Sequence, residues 1–241
     1  MLPGHLSPGR RLYEGFTATG AIVAVCWTTL VQQQQQQQSR PANLHDPARA
    51  YRCRLILDLL QSFDRRESER ILIIGSSTGP LAAEVHRRFP NADIVGVEGS
   101  REGVEPAHLA VPSATFIRHD LLREEEVDPR LRAWATTAVC VEVLEHVADP
   151  RQLLRGVAPY LAHDGKLVVT VPGGPMSAFD RRIGHRRHFT PKTLSHLLEE
   201  SGFRVRHVQR AGFPFSNLAL FRFDRERSPL GWQIVAVATS D

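Results

Sequence analysis

The chain has 241 residues, of which 42% are hydrophobic and 23% charged, the balance of a soluble globular protein with enough length for one sizeable α/β domain. Its formal net charge of +4, carried mainly by arginine, favours acidic partners only weakly. Three widely spaced cysteines, Cys26, Cys53 and Cys140, form no C-x-x-C pair, so they indicate neither a disulfide framework nor a zinc site and favour a reducing, cytoplasmic location.

Residues 1–45 are predicted to be an extension that precedes a single domain, residues 46–241. A pair of arginines precedes a 12-residue apolar run, Gly20 to Val31, in the order that is typical of secretory signals. The run is too short to span a bilayer, and the glutamine tract Gln32–Gln38 follows it in place of a cleavage site. We therefore expect a flexible glutamine linker and no stable membrane insertion, with an amphipathic lead-in or a poorly ordered extension ahead of it.

Apolar runs alternate with amphipathic segments along the rest of the chain. Helices are predicted at Pro47–Phe63, Pro80–Phe89, Glu102–Leu109, Pro150–Leu161 and Pro191–Ser201. Strands are predicted at Ile71–Ile74, Asp93–Val97, Ala114–Ile117, Ala138–Val143, Lys166–Val171, Phe203–Arg210 and Gly231–Ala238. This order predicts an α/β fold of the Rossmann-like, doubly wound kind, with a mostly parallel seven-stranded sheet and helices on both faces. Because no helix precedes the last strand, we expect that strand to be antiparallel.

The turn after the first strand is the first candidate binding element. Gly75 and Gly79 flank Ser76, Ser77 and Thr78, and such small residues let a ligand approach the backbone while hydroxyl and N–H groups bind its polar atoms. Taken alone, the pattern also fits an ordinary turn between a strand and a helix.

Acidic residues follow the next two strands. Glu98 ends the second strand, 23 residues after Gly75, where a carboxylate can accept hydrogen bonds from both hydroxyls of a ribose. Asp120 follows the third strand, where a carboxylate can bind the amino group of an adenine. A solvated charge at the end of a strand is the alternative for each residue.

Three segments resemble the class I S-adenosylmethionine-dependent methyltransferases, especially the small-molecule branch that includes ubiquinone-biosynthesis-like enzymes. They are I-L-I-I-G-S-S-T-G (Ile71–Gly79), I-V-G-V-E-G-S (Ile94–Ser100) and V-E-V-L-E-H-V-A-D-P (Val141–Pro150). The third is the most specific, and the resemblance covers roughly residues 47–241. It implies an enzyme that uses S-adenosyl-L-methionine to methylate a small-molecule acceptor.

The resemblance also assigns roles to the candidate residues. It implies that the Gly75–Gly79 loop holds the methionine end of the cofactor, Glu98 its ribose and Asp120 its adenine. Two positions depart from the family pattern, because Ile73 stands where an acidic residue is usual and Ser77 where a glycine is usual. These departures keep open a catalytically inactive relative that binds an adenosyl ligand or a protein partner. A nicotinamide dinucleotide is not expected, since the loop lacks G-x-G-x-x-G.

The segment after the fourth strand lies at the sulfonium end of the cofactor in such a fold. Glu142 and Val143 are predicted to contact the cofactor there, and Leu144 to line the same pocket. In ubiquinone-type relatives the trio of Glu142, Glu145 and His146 resembles a divalent-metal site, but hydrogen bonds that fix the loop are the alternative. We assign no metal ligand from the sequence.

A basic loop, Asp180–His188, reads D-R-R-I-G-H-R-R-H and is expected to overhang the site. His185 and His188 are the candidate catalytic bases, and His146, Arg186 and Arg187 the candidate acceptor-binding residues. A solvated basic loop is the alternative. Nucleic acid is not an expected partner, because few aromatic residues accompany the charges.

The apolar, aromatic stretch Ala211–Phe221 fits the wall of an acceptor pocket, a dimer contact or core packing. We expect a monomer or a homodimer.

Overall fold

The computed structural model of the protein describes residues 47–63, 69–123, 126–211 and 233–240. The N-terminal extension, the glutamine tract and all of the Ala211–Phe221 stretch except Ala211 lie outside these residues, so the predictions made for them stay predictions.

Seven strands and six α-helices alternate along the described chain. The strands are β1 (Arg70–Ile74), β2 (Asp93–Glu98), β3 (Thr115–Arg118), β4 (Ala135–Val141), β5 (Leu161–Pro172), β6 (Phe203–Ala211) and β7 (Gln233–Ser240). The α-helices are α1 (Pro47–Ser62), α2 (Pro80–Arg88), α3 (Arg101–Ala110), α4 (Pro150–Val157), α5 (Ala178–Arg182) and α6 (Pro191–Glu200). Short 3-10 turns lie at Pro129–Leu131 and Ala158–Tyr160.

The strands form one sheet in the order β3-β2-β1-β4-β5-β7-β6. Strands β1 to β5 are parallel, and β7 runs antiparallel between β5 and β6. The predicted doubly wound sheet with an antiparallel last strand is confirmed. The strand order reverses between β1 and β4, and open α/β sheets bind ligands at the carboxyl ends of strands beside such a reversal.

Both faces of the sheet are covered by apolar residues. In β1, Leu72 and Ile74 pack into the core on one face, with Leu154 and Tyr160 among their partners. Ile71 and Ile73 pack into the core on the other face, against α1 and α2. Because alternate residues of a strand point to opposite faces, a run of four branched apolar residues suits this doubly covered position.

Several predicted boundaries are wrong. Strand β4 begins at Ala135 and ends at Val141, so Val143 belongs to the following loop rather than to the strand. Strand β5 begins at Leu161, before the predicted Asp164-Gly165 turn, because a register shift between β4 and β5 accommodates these two residues within the strand. The predicted helix Pro150–Leu161 ends at Val157 and continues as a 3-10 turn that contains Pro159, which lacks a backbone N–H.

Other differences lie near the carboxyl edge and at the C-terminus. The arginine-rich connection after β5 contains the short helix α5, which the sequence analysis did not predict. The last strand is Gln233–Ser240 rather than Gly231–Ala238. Among the helices in the described ranges, none is long and apolar enough to cross a membrane.

Candidate active site

The loop after β1 turns sharply into α2. Gly75, Ser77 and Gly79 all have positive φ angles, of 67°, 49° and 85°. The N–H groups of Gly75 and Ser76 donate to the Val97 carbonyl at 2.9 and 3.2 Å, which fixes the loop against the end of β2. The loop therefore has the tight geometry that the sequence predicts, and Ser77 adopts the conformation for which glycine is usual.

Gly75 also sets the distance between two loops. A Cβ atom on Gly75 would lie 2.7 Å from Cγ2 of Val143, so any larger residue would push the loop after β4 away from the loop after β1. Val143 is half-buried, whereas Leu144 is fully buried in the apolar core. Of these two residues, Val143 alone has exposed surface, and the prediction that Leu144 lines the cofactor pocket stays a prediction.

Glu98 joins the loops that follow β1 and β2. Its Oε2 accepts a hydrogen bond from the Ser77 N–H at 2.9 Å, and its Oε1 accepts from the N–H and Oγ of Ser100 at 3.1 and 3.2 Å. Each carboxylate oxygen can accept two hydrogen bonds, so the half-buried carboxylate keeps capacity, on Oε2, for one ligand hydroxyl.

Asp120 lies at the same edge of the sheet, as predicted. Its neighbour His119 donates its backbone N–H to the Glu98 carbonyl at 3.0 Å, which places the ends of β2 and β3 side by side. The Asp120 carboxylate accepts from the Leu122 N–H at 3.1 Å and forms an ion pair with Nε of Arg123 at 3.1 Å. A ligand amino group at this position would bind a carboxylate that already accepts a hydrogen bond from Leu122 and pairs with Arg123.

The side chain of Glu142 binds residues of β5 and β7. Its Oε1 accepts from Nε2 of Gln233 at 2.7 Å and from Oγ1 of Thr170 at 3.3 Å. Its φ angle is 53°, and its N–H donates to the Thr170 carbonyl at 3.0 Å. Sequence reasoning missed Thr170 and Gln233, since the latter is 91 residues from Glu142 and no local pattern connects them.

Glu145 is a fully buried acid, and neither of its carboxylate oxygens has a hydrogen-bond partner within the part of the chain that the structure describes. Burial, followed by the nearby negative charge of Glu142, raises its pKa well above the ordinary value, and its own backbone N–H and the positive charge of Arg52 oppose this shift. Its backbone carbonyl accepts from the Arg186 N–H at 2.8 Å. The neutral acid is therefore favoured over the carboxylate.

Three histidines and one aspartate from the loops after β4 and β5 meet at this edge, and we refer to His146, His185, His188 and Asp180 as the histidine cluster. Nδ1 of His185 lies 3.1 Å from Nε2 of His188, and the ring centroids of His146 and His185 are 4.8 Å apart. Asp180 Oδ1 is 3.9 Å from His185 Nδ1, and its Oδ2 is 3.7 Å from His188 Nε2.

The environment of His146 and His185 favours neutral imidazole rings. Burial, followed by the neighbouring His146 and His188, lowers the pKa of His185 to about 4, and Asp180 opposes this shift. Burial also lowers the pKa of His146. For Asp180, burial raises the pKa, but hydrogen bonds from Ser177 outweigh burial and keep the pKa below its ordinary value. At neutral pH the lone pairs of His146 and His185 thus lie beside the Asp180 carboxylate.

Within the described residues, two sets of three side chains in this region have ligand atoms close enough to hold a metal ion: Glu145, His146 and His185, and Asp180, His185 and His188. The sequence analysis gave Asp180 no role. The spacing D-x4-H-x2-H, with Gly184 before the first histidine, is the signal that could have identified it.

The two candidate acceptor-binding arginines are anchored to the backbone after β4. Nε of Arg186 donates to the His146 carbonyl at 3.1 Å, and an Nη of Arg187 donates to the Ala148 carbonyl at 2.9 Å. These bonds join the loop after β5 to the loop after β4, and the role of Arg186, Arg187 and His146 in acceptor binding stays a prediction.

Comparison with known proteins identifies the family. A family model described as a methyltransferase domain matches residues 44–208. The chain belongs to this family. The predictions of a methyltransferase that depends on S-adenosyl-L-methionine, and of that cofactor, are confirmed.

Two curated methyltransferases are similar in sequence. The ubiquinone biosynthesis O-methyltransferase of Aeromonas salmonicida is 26% identical over 166 residues, which are 62% of this chain and 69% of the relative. The trans-aconitate 2-methyltransferase of Yersinia pestis is 28% identical over 130 residues, 54% of this chain and 48% of the relative. The methyltransferase chain thus spans about half the length of the second relative.

A solved structure shares the fold of this methyltransferase. N-methyltransferase NodS from Bradyrhizobium japonicum, in complex with S-adenosyl-L-homocysteine, superposes with a TM-score of 0.64 at 17% sequence identity. The match covers 88% of this chain and 98% of NodS. At this level of identity the likeness supports the fold and leaves the acceptor to be argued from the site.

Proposed function

We propose that the protein transfers a methyl group from S-adenosyl-L-methionine to a small-molecule acceptor that carries an acidic oxygen. The observation that supports this most directly is the convergence of three loops at the sheet reversal. The Ser77 N–H to Glu98 bond joins the loops after β1 and β2, and the close approach of Gly75 to Val143 joins the loops after β1 and β4. A cofactor that spans these loops has its reactive end beside β4.

In this proposal the cofactor lies across the carboxyl ends of β1, β2 and β3. The N–H groups and small residues of the Gly75–Gly79 loop, Ser76 and Ser77 included, hold the methionine end. Glu98 accepts a hydrogen bond from the ribose, and Asp120 binds the adenine. Glu142 and Val143 flank the sulfonium end, with Val143 as the apolar contact.

Methyl transfer at this place needs little from the protein beyond orientation. A lone pair of the acceptor oxygen forms a bond to the methyl carbon as the carbon–sulfur bond breaks, and that bonding pair stays on sulfur as the neutral thioether. Because the positive sulfur already activates the methyl group, proximity and alignment supply most of the acceleration. A proton on the acceptor oxygen goes to a base, for which His185 and His188 are the candidates in a protein free of metal.

The acidic character of the acceptor is inferred from the charge of the loop beside the site. Four arginines accompany a single acidic residue between Asp180 and His188, and Arg186 and Arg187 are held next to His146 by the carbonyls that they bind. Guanidinium groups suit carboxylates and phenolates. The relatives' names, an O-methyltransferase and a trans-aconitate methyltransferase, agree with small acceptors.

Isothermal titration with S-adenosyl-L-methionine and S-adenosyl-L-homocysteine tests the cofactor site. We expect micromolar binding that Glu98→Ala weakens at least tenfold, about 1.4 kcal/mol. Glu105→Ala, which removes an exposed acid from α3, is the matched control and is expected to bind like the wild type. Equal affinity of the Glu98 and Glu105 variants would contradict the proposed ribose contact.

An acceptor screen then tests the reaction. Wild-type protein with labelled cofactor is offered small carboxylic acids, phenols and amines, and we expect product from the acids or phenols. A His185→Asn, His188→Asn double variant is expected to lose turnover but keep cofactor binding. Full turnover in this variant would exclude both histidines as bases. Cofactor binding without product from any acceptor would instead favour a binding protein, the alternative that buried Ile73 raises.

A further inference from the structure

The loop after β5 brings three metal-ligating atoms together from a span of nine residues. Nδ1 of His185 and Nε2 of His188 are 3.1 Å apart, and the Asp180 carboxylate oxygens lie 3.9 and 3.7 Å from them. Zn²⁺ binds nitrogen and carboxylate oxygen at about 2.0–2.2 Å with tetrahedral geometry, so two of its ligands lie roughly 3.3 Å apart. We propose that Asp180, His185 and His188 form a Zn²⁺ site.

The backbone holds these ligands in place before any ion binds. The His185 N–H donates to the Asp180 carbonyl at 3.0 Å, which closes the turn through Gly184, whose φ angle is 92°. On the far side, the Phe189 N–H donates to the Pro172 carbonyl at 2.9 Å, and the buried Phe189 ring anchors the chain directly after His188. Both ends of the ligand segment are therefore fixed, so little ordering is needed on binding.

Neighbouring groups orient two of the ligands. Nδ1 of His188 lies 3.2 Å from the Gly174 carbonyl oxygen, which can only accept, so that nitrogen carries the proton and Nε2 presents a lone pair toward the site. The N–H and Oγ of Ser177 both donate to Asp180 Oδ2 at 2.6 Å. Such outer partners set the tautomer and direction of metal ligands.

The donor set favours zinc over magnesium or calcium. Two imidazoles and one carboxylate suit zinc and similar transition metals, whereas Mg²⁺ and Ca²⁺ prefer oxygen ligands. The histidine side chains each expose 9% of their surface and Asp180 exposes 20%, so the site is shielded but open on one side. On binding, the ion replaces the proton between the two rings, and that proton moves to Nε2 of His185, so the ring stays neutral and Nδ1 binds the ion.

Three arginines of the same loop form hydrogen bonds with backbone carbonyls rather than with the Asp180 carboxylate. Arg186 and Arg187 donate to the carbonyls of His146 and Ala148, and an Nη of Arg181 donates to those of Met176 and Ser177. Asp180 is thus the acidic partner of the two histidines, and three protein ligands leave a fourth tetrahedral position for water. In the proposed enzyme that position would also accept an acidic acceptor oxygen, a step that rests on the proposed function.

Metal binding is measured on the full chain without cofactor or acceptor, so its result is independent of methyl transfer. Protein stripped with a chelator is titrated with Zn²⁺ against a chromophoric competitor and, separately, with Co²⁺, whose visible spectrum reports tetrahedral coordination. We expect about one ion per chain with micromolar or tighter affinity. Asp180→Asn and His188→Gln are each expected to weaken binding by about 100-fold, with circular dichroism to confirm folding.

Two control variants test whether the ion binds elsewhere. His163→Gln removes an exposed histidine that pairs with Asp164 at 3.1 Å but has no third ligand among the residues that the structure describes, and it is expected to leave binding unchanged. Glu145→Gln removes an acid from the neighbouring set with His146 and is also expected to leave binding unchanged. No Zn²⁺ binding by the wild type, or loss of binding in Glu145→Gln with retention in His188→Gln, would overturn the proposal.

Discussion

The backbone N–H of Ser77 donates to Oε2 of Glu98 at 2.9 Å, although Ser77 has a positive φ angle of 49° that β-carbon-bearing residues seldom adopt. The hydrogen bond to the Glu98 carboxylate stabilises this loop conformation, whereas the backbone strain at Ser77 destabilises it. A charge-assisted bond contributes about 1.5–3 kcal/mol, and a positive φ at a residue other than glycine costs about 1 kcal/mol or more. The bond therefore outweighs the strain and holds the loop in the conformation for which the family uses glycine.

The first prediction is that Ser77→Gly stabilises the protein. Glycine adopts the observed φ angle without strain and keeps the N–H that donates to Glu98, so we expect the free energy of unfolding to rise by about 0.5–1 kcal/mol. Urea denaturation measures this change. Ser77→Ala keeps the β-carbon and is the control, for which we expect no gain. Equal stability of the glycine and alanine variants would show that strain at Ser77 is not the cause.

Much of the fold can be predicted because its signals are local. The apolar run Ile71–Ile74 indicates a strand that is covered on both faces, and Glu98 and Asp120 appear at strand ends that a parallel sheet brings to one edge. The predicted start of β4, Ala138, lies three residues after the observed start, Ala135, because Thr136 and Thr137 are polar, although β-branched threonine suits strands.

The rest of the site depends on contacts between distant segments. Gln233 reaches Glu142 because antiparallel pairing sets Gln233 opposite Pro172, and no local pattern fixes that register. Asp180 meets His185 and His188 because Gly184 reverses the chain after a helix of five residues, too short to give a periodic signal. The full burial of Glu145 has no local signal in the sequence.

The second prediction concerns the contact between Gly75 and Val143. Gly75→Ala forces a positive φ angle of 67° on alanine and places a methyl group 2.7 Å from Cγ2 of Val143, so we expect a loss of about 2–4 kcal/mol in the free energy of unfolding. The double variant Gly75→Ala, Val143→Ala removes the overlap but keeps the backbone strain. It is expected to be more stable than the sum of the two single variants predicts, and strict additivity in this cycle would contradict the contact.

The third prediction concerns the pH dependence that Glu145 creates. Its pKa is raised in the folded protein, so between the ordinary value and the raised value the folded state binds a proton that the unfolded state has lost. Stability contributed by this group is therefore lost as pH rises above about 4.5. Glu145→Gln keeps the shape without the ionisable group, and we expect it to be more stable than the wild type by about 1–3 kcal/mol at about pH 8.

Denaturation of both proteins at several pH values checks this prediction. The advantage of the Glu145→Gln variant is expected to shrink as the pH falls and to vanish well below about pH 4.5, where the wild-type acid is neutral in both states. Glu84→Gln, at an acid of α2 that pairs with Arg87, is the control and is expected to show no such gain at high pH. A constant difference between Glu145→Gln and the wild type across the pH range would contradict the raised pKa.

The fourth prediction is that Gln233→Glu makes the protein sensitive to alkali. Gln233 Nε2 donates to Glu142 Oε1 at 2.7 Å and to the Val171 carbonyl at 3.0 Å, and a carboxylate of the same shape can donate neither bond. Two carboxylates at this separation repel each other, so one of them has a raised pKa in the folded state. We expect a loss of about 1–3 kcal/mol at neutral pH and a smaller loss near pH 4, where the new acid is protonated and donates in place of the amide.

The comparison with a surface glutamine distinguishes this contact from a general effect of added charge. Gln152→Glu places a carboxylate on an exposed position in the first turn of α4, where the helix dipole favours negative charge, and is expected to change stability little at either pH. Thermal unfolding of both variants, measured between about pH 4 and neutral pH, tests this prediction. If Gln233→Glu behaves like Gln152→Glu, the Glu142 carboxylate does not depend on Gln233 for its position, and it is then able to turn toward the cofactor without loss of stability.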